Sequence, residues 1–327
     1  MTDTNAAELP LETTVGAAGP HATDAFALLG DETRLAILLA LWEEYDPHAT
    51  DNRVPFSDIF DRVDYDDPGS FSYHLQQLTG QFIRQHAKEE GYELRVPGLR
   101  FIQAVIAGAG VQDATYELTE IDQPCPFCDA PTAISYQNGL VIHVCTECEG
   151  VITEENIRGY LSAVPFDPAG LTERSPDEIR AASRVAAWRQ TQIMFDGLCP
   201  ACSGPVDGWL ECCTDHDTIG ICENCGTKFA VLARFECRIC KNHNVSSLKA
   251  LALFHPAVIA FYDDHGVSTR VRVDDIESVR QVFDLMDGHE IEILSEDPAR
   301  ADVTAAIDDD EIHPTFDETA YVIGVSR

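Results

Sequence analysis

The sequence predicts a multidomain α+β protein: a helical N-terminal module containing a hairpin, then modules built on cysteine pairs, then a small C-terminal α+β segment. Three observations predict it. Apolar residues recur at helical spacing between positions 28 and 109, twelve cysteines fall mostly in pairs two residues apart, and alternating stretches return after position 268. A chain of 327 residues is long for one compact core, and several small modules fit it better than one large fold. The expected divisions are an acidic tail over 1–20, a helix-and-hairpin module over 21–112, a first cysteine module over 113–160, a helical spacer over 161–196, a second cysteine-rich module over 197–247 and the C-terminal segment over 248–327.

From Asp31 to Tyr45 the residues Leu35, Leu38, Leu39 and Trp42 repeat at i, i+3, i+4 and i+7, which predicts a helix buried along that stripe with Asp31 as its N-cap. A second helix is expected over about 56–63. After the acidic turn 64–69 a third runs over about 70–79, with Phe71, Leu75 and Leu78 on one face and Gly80 as its C-terminal stop. Turning 100° per residue from that face brings Tyr73, Gln76 and Gln77 outward, with Ser70, Ser72 and His74 on the flanks. Residues 82–96 read as a hairpin about Lys88-Glu89-Glu90-Gly91, and 99–109 as a last apolar helix. Three helices followed by a hairpin is the order of a winged helix-turn-helix, in which the third helix enters the major groove and the hairpin touches the flanking backbone.

The stretches LLGDETRLAILLAL (28–41) and SFSYHLQQLTGQFI (70–83) resemble the ArsR-type transcriptional regulators of bacteria and archaea, and DDPGSFSYHL (66–75) is similar to their haloarchaeal branch. The module that carries these motifs, 21–112, covers about a quarter of the chain. The resemblance implies a homodimer packed through the first and last helices, double-stranded DNA as partner, and Ser70, Ser72, Tyr73, His74, Gln76 and Gln77 as the residues that read it, with Arg84 and Lys88 beside them on the hairpin. Metal-sensing members carry cysteines in the DNA-reading helix; here none precedes Cys125, so that mode of sensing is not implied, and any small-molecule effector is unknown.

The net charge is −34 at a pI near 4.4, and only four lysines are present, the pattern of a protein that works in very high salt. Residues 21–110 carry seven basic against fifteen acidic side chains, unlike the basic footprint of an ordinary DNA binder. Yet no acid falls from Pro68 to Lys88, a run that contains the third helix, although 237–262 is a longer acid-free run. At molar salt the Debye length is about 3 Å, so distant carboxylates are screened and close contacts must supply affinity. The start of the chain lacks a basic stretch followed by an apolar one, and the longest apolar stretch, 251–262, is too short to span a bilayer, so the expectation is a cytoplasmic protein without a membrane partner.

In a reducing cytoplasm such cysteines bind metal more readily than they pair. Cys125-x2-Cys128, sixteen residues, then Cys145-x2-Cys148 is the spacing of a zinc ribbon, and Asn138-Gly139 between two strand-like stretches is a hairpin turn signal. The alternatives are a rubredoxin-like iron site and a dithiol redox pair. Four further knuckle-spaced pairs follow: Cys199/Cys202, Cys213/His216, Cys222/Cys225 and Cys237/Cys240. Eight ligands make two tetrahedral sites and leave one cysteine over; spacing does not decide between Cys212 and Cys213 as the ligand, although Cys-x2-His favours Cys213. The pairing is sequential or interleaved, the interleaved arrangement being favoured because CPAC and ICENCGTKF look like two halves of one ribbon; a single metal with four spare ligands is a third option. His143 and His243 read as ordinary surface histidines. Complete four-ligand sets are closed, so two to three structural Zn2+ ions are expected.

Ser175-Pro176-Asp177-Glu178 is a helix-start signature, and the helix should run to about Phe195 as a spacer or dimer contact. Arg180, Arg184 and Arg189 along it read as a solvated face, with nucleic acid contact as the alternative. Beyond it, helical periodicity near 251–266 and alternation at 269–273, 290–294 and 321–325 predict the α+β segment. No phosphate loop, nucleophile elbow or HExxH motif occurs, so the expectation is no enzyme. The function expected from sequence is a sequence-specific DNA-binding transcriptional regulator; the alternative is a protein-docking factor of the transcription machinery made from the same modules.

Overall fold

The computed structural model of the chain describes residues 28–87, 90–108, 114–152, 157–217 and 220–327, and these fall into two compact units, Met1–Val111 and Gln112–Arg327. The expected tail over 1–20 lies outside the described residues. Among the described residues the architecture is mixed α and β, with four small antiparallel sheets.

In the first unit, α1 (Glu32–Glu43), α2 (Phe56–Val63) and α3 (Pro68–Leu78) precede a short hairpin of β1 (Ile83–Gln85) and β2 (Tyr92–Leu94), and α4 (Val96–Ile106) follows. Asp31 caps α1 by accepting a hydrogen bond from the Arg34 N–H at 3.0 Å. The buried face of α1 is not the stripe the sequence predicts: Ile37, Leu38, Ala40 and Leu41 are buried, whereas Trp42 is 36% exposed. The reason is compositional. All eight residues 35–42 are apolar, so spacing alone does not select a side. Helix α3 starts two residues earlier than expected, because Asp67 caps it by accepting from the Gly69 and Ser70 N–H groups and Pro68 fits the first turn. Its face of Phe71, Leu75 and Leu78 is wholly buried, with Phe56 and Phe60 edge-on to Phe71, and Gly80 follows at φ +90°.

In the second unit, β3 (Tyr116–Ile121), β4 (Thr132–Gln137), β5 (Leu140–Cys145) and β6 (Tyr160–Pro165) form one meander. Asn138 and Gly139 both take positive φ, 52° and 77°, as a two-residue hairpin turn with right-handed strand twist requires. A second sheet holds β7 (Val206–Cys212), β8 (Val231–Cys237) and β9 (His243–Ser246), and a third holds β10 (Glu290–Glu296), β11 (Ala299–Ile307), β12 (Asp310–Phe316) and β13 (Val322–Ser326). Residues 269–273, expected as a strand, form only an isolated bridge from Arg272 to Asp275, while α6 (Leu248–Ala252), α7 (Pro256–Asp264) and α8 (Ile276–Gly288) supply the helical part of the segment.

Helix α5 (Pro176–Phe195) ties this unit together. Its expected capping box is present: Ser175 Oγ accepts from the Glu178 N–H and Glu178 Oε2 accepts from the Ser175 N–H at 2.7 Å. Ile179 packs with Ile121, Ile134 and Tyr136 of the first sheet, while Trp188 and Met194 join a core shared with Phe235, Phe254, Phe261 and Phe316. The helix is therefore a central core element and not a free spacer. Arg180 and Arg184 do not form a solvated face either: Arg180 is 7% exposed and Arg184 stacks 3.5 Å from the Phe283 ring centre; Arg189 alone of the three is exposed.

Candidate functional site

The hairpins that carry the knuckles decide which ligands meet. In the first module β4 and β5 pair from Gln137–Leu140 at the turn to Thr132–Cys145 at the far end, which returns Cys145 to the loop holding Cys125 and Cys128. The Asp129 N–H bonds to the Cys125 carbonyl at 2.9 Å, closing a tight knuckle. The Cys125, Cys128, Cys145 and Cys148 sulfurs lie within 4.8 Å of one another, with Cys125 to Cys148 at 3.7 Å and Cys128 to Cys145 at 3.5 Å.

In the second module neither the sequential nor the interleaved pairing is realised. The arrangement is nested: Cys199, Cys202, Cys237 and Cys240 make one group, and Cys213, His216, Cys222 and Cys225 make another. The cause is the antiparallel register of β7 on β8. Val206 faces Cys237 and Cys212 faces Val231, so the first and fourth knuckles share one end of the ladder and the second and third share the other. Six residue steps at about 3.3 Å separate the two ends by roughly 20 Å. That distance also removes the option of one metal with four spare ligands. Cys212 stays half-buried on β7 outside the groups. The nesting was readable in principle, since Val206-Asp207-Gly208-Trp209-Leu210 and Val231-Leu232-Ala233-Arg234-Phe235 alternate as hairpin partners would.

The spacings test what these groups can hold. Four sulfurs at a zinc–sulfur bond length of about 2.3 Å lie roughly 3.8 Å apart at tetrahedral corners, and Cys199 to Cys240 is 3.6 Å and Cys202 to Cys237 3.5 Å. In the third group Cys213 to Cys222 is 4.0 Å, and Cys225 lies 3.5 Å from His216 Nδ1, so imidazole completes the set. A disulfide needs about 2.05 Å, and all twelve cysteines are free. Backbone N–H groups aim at the sulfurs that must become thiolates: Glu147 and Cys148 donate to Cys145, and Ile239 to Cys237. Burial opposes the thiolate at Cys145, but those N–H donors outweigh it and bring its pKa down to about 7; at Cys199, likewise opposed by burial, the Cys202 and Ala201 N–H groups bring it to about 6. Each group thus offers a closed, four-ligand metal site.

His143, expected on the surface, is 3% exposed within β5, whereas His243 is exposed on β9; neither joins a metal group. Burial and then the charges of Arg180 and Arg184 push the His143 imidazole down to about 2.

On α3, Ser72, Tyr73 and Gln76 are exposed, Tyr73 by 58%. The flanking residues differ from expectation. His74 is turned inward, 3.4 Å from Asp31 and 3.5 Å from the Tyr65 hydroxyl, and Ser70 lies 3.3 Å from that same hydroxyl. Starting the helix at Pro68 brings Tyr65 of the preceding turn back over these two side chains. Gln77 is half-buried. Arg84 is exposed on β1 and pairs with Glu93 at 3.2 Å; Lys88 lies outside the described residues.

Among the described residues no helix is long and apolar enough to cross a membrane. No curated protein matches the chain. A solved structure it partly resembles is the Rio2 kinase-ADP/Mg2+-phosphoaspartate complex from Chaetomium thermophilum, at 16% identity over 54% of this chain and 50% of that one with a TM-score of 0.23; the chain spans half the length of that kinase. Residues 22–105 match the family described as Domain of unknown function (DUF7347). Residues 122–322, carrying all three metal-ligand groups, match Domain of unknown function (DUF7351), and the chain belongs to that family.

Proposed function

We propose that the protein is a sequence-specific DNA-binding transcriptional regulator that acts as a homodimer at high salt. Its first unit is a winged helix-turn-helix of the ArsR type, with α3 as the reading helix, the β1–β2 hairpin as wing, and structural Zn2+ in the three groups of the second unit.

The observation that carries this reading is the two-sidedness of α3. Phe71, Leu75 and Leu78 are locked in the core, while Ser72, Tyr73 and Gln76 present uncharged hydrogen-bonding groups to solvent. Such groups read base edges without repelling phosphates, on a helix with no acid in a chain of net charge −34. The exposed Trp42 on α1 and Ile106 on α4 support a dimer through the first and last helices.

Selection of a discrete palindromic site from random duplexes by the purified protein tests the reading. Tyr73→Ala and Gln76→Ala should each lose roughly ten- to hundredfold in affinity for that site, as a lost base contact of about 1–3 kcal/mol implies. Binding should survive molar KCl with a shallow salt slope. Failure to select any site would favour a protein-docking factor instead, and a steep phosphate-type loss with salt would contradict recognition by close contacts.

A further inference from the structure

The second unit contains a cavity of about 710 Å3 between α5, the first cysteine knuckle, β6 and α8. Its polar lining is unusual because the groups that should be paired are not. Arg180 is 7% exposed and its Nε has no hydrogen-bond partner; among the described residues no carboxylate pairs with its guanidinium. Both ring nitrogens of His143, 3% exposed, are likewise without a partner, and so is the enclosed Ser162 hydroxyl. All three line this one cavity, together with Arg184. Of the acids on its wall, Asp129, Asp284 and Asp287, the last two act on Arg184 and none acts on Arg180.

An unpaired guanidinium taken out of water costs several kcal/mol unless an anion meets it, and buried polar groups are normally satisfied. A fork of N–H donors with a hydroxyl and an imidazole beside it matches the oxygens of a carboxylate or phosphate. The wall also carries four aromatic side chains, Phe127, Trp188, Phe229 and Phe283. Its volume falls within the roughly 300–1,000 Å3 of small-molecule sites and far exceeds that of one inorganic ion. From this juxtaposition we infer that the cavity is a binding site for a small aromatic carboxylate or phosphate, its acidic head on Arg180, Ser162 and His143 and its ring among the aromatic side chains. The inference does not depend on α3 reading DNA.

The test uses the full-length, metal-loaded protein at constant high KCl, with benzoate, phenyl phosphate, inorganic phosphate and neutral benzamide as probes. Binding is read by calorimetry and by the shift in melting temperature. Benzoate or phenyl phosphate should bind and raise the melting temperature, while benzamide and inorganic phosphate do not. Arg180→Met should weaken binding roughly ten- to hundredfold, the loss expected when a charged hydrogen bond is removed. It should melt no lower than the parent without ligand, since it removes an unpaired buried charge. Should that variant fail to fold, the inference is overturned, because Arg180 would then be a structural requirement. Ser162→Ala should weaken binding several-fold. No response to either aromatic anion, an equal response to inorganic phosphate, or unaltered binding in Arg180→Met or Ser162→Ala would overturn the assignment.

Discussion

Nested and interleaved knuckles make opposite predictions for paired cysteine substitutions, and counting bound zinc separates them. With three closed groups the protein should carry three Zn2+ per chain. Cys202→Ser removes one ligand of the group that joins the first and fourth knuckles, and should reduce the count to two. Adding Cys240→Ser on the same group should leave it at two, because the ion is already gone. Adding Cys225→Ser instead strikes the other end of the β7–β8 ladder, roughly 20 Å away at about 3.3 Å per residue, and should reduce the count to one. Under interleaved pairing Cys202 and Cys225 would share an ion and the second double variant would keep two. Native mass spectrometry or a colorimetric zinc assay after denaturation reads these counts directly. Because each structural site contributes folding free energy to its module, the single variants should also lose stability. A count of two in Cys202→Ser/Cys225→Ser would refute the register argument.

His289 offers a pH test with a definite sign. It is 2% exposed, its Nδ1–H donates to the Lys249 carbonyl at 3.0 Å, and its Nε2 therefore accepts from the Tyr262 hydroxyl at 2.7 Å. Protonating Nε2 breaks that bond, and burial holds the folded pKa down at about 4 against an ordinary 6.5. The unfolded chain thus takes up the proton first: the stabilisation is complete above about pH 6.5 and is lost as pH falls towards 4, by about 3 kcal/mol in total. His289→Gln should flatten the denaturant-unfolding profile over that window, and an unchanged profile would refute the assignment. Two glycines in the first cysteine module separate backbone strain from collision. Gly139, at φ +77° with open space where a side chain would go, should cost about 1 kcal/mol as Gly139→Ala. Gly159, at φ +74°, would drive its new carbon into the Cys145 carbonyl oxygen, so Gly159→Ala should displace a ligand strand and lower the metal count by the one ion expected at Cys125, Cys128, Cys145 and Cys148.

What the sequence reveals about this fold is local. Helix α2 and the end of α5, the Asp31 cap, the capping box at Ser175 and the Asn138-Gly139 turn all follow from interactions within a few residues, and the structure carries each of them. The ligand identities are local too, since a knuckle is a two-residue spacing. What could not be read from spacing is which knuckle meets which, because that is fixed by strand register across 206–237. The same limit explains α1, whose apolar residues surround it and leave the choice of face to its neighbours. It explains His74 as well: helical phase puts it on the flank of α3, but Tyr65 and Asp31, from other elements, draw it in. Residues 269–273 alternate like a strand yet find no neighbouring edge to pair with beyond one bridge.

Arg180 is the sharpest case of this kind, and composition gives it its meaning. The chain holds 56 acidic against 22 basic side chains, so a carboxylate partner for a buried arginine is the easiest thing for this sequence to supply. Exposed arginines receive one readily: Arg53 pairs with both Asp51 and Glu90, Arg62 with Glu43 and Glu44, and Arg272 with Asp274. Arg180, buried where a partner would matter most, has none among the described residues. A permanent carboxylate there would satisfy the guanidinium and close the cavity to any other anion. Its absence in a chain so rich in acids is what an exchangeable counter-charge requires, and it turns a cost in stability into affinity for the ligand that relieves it.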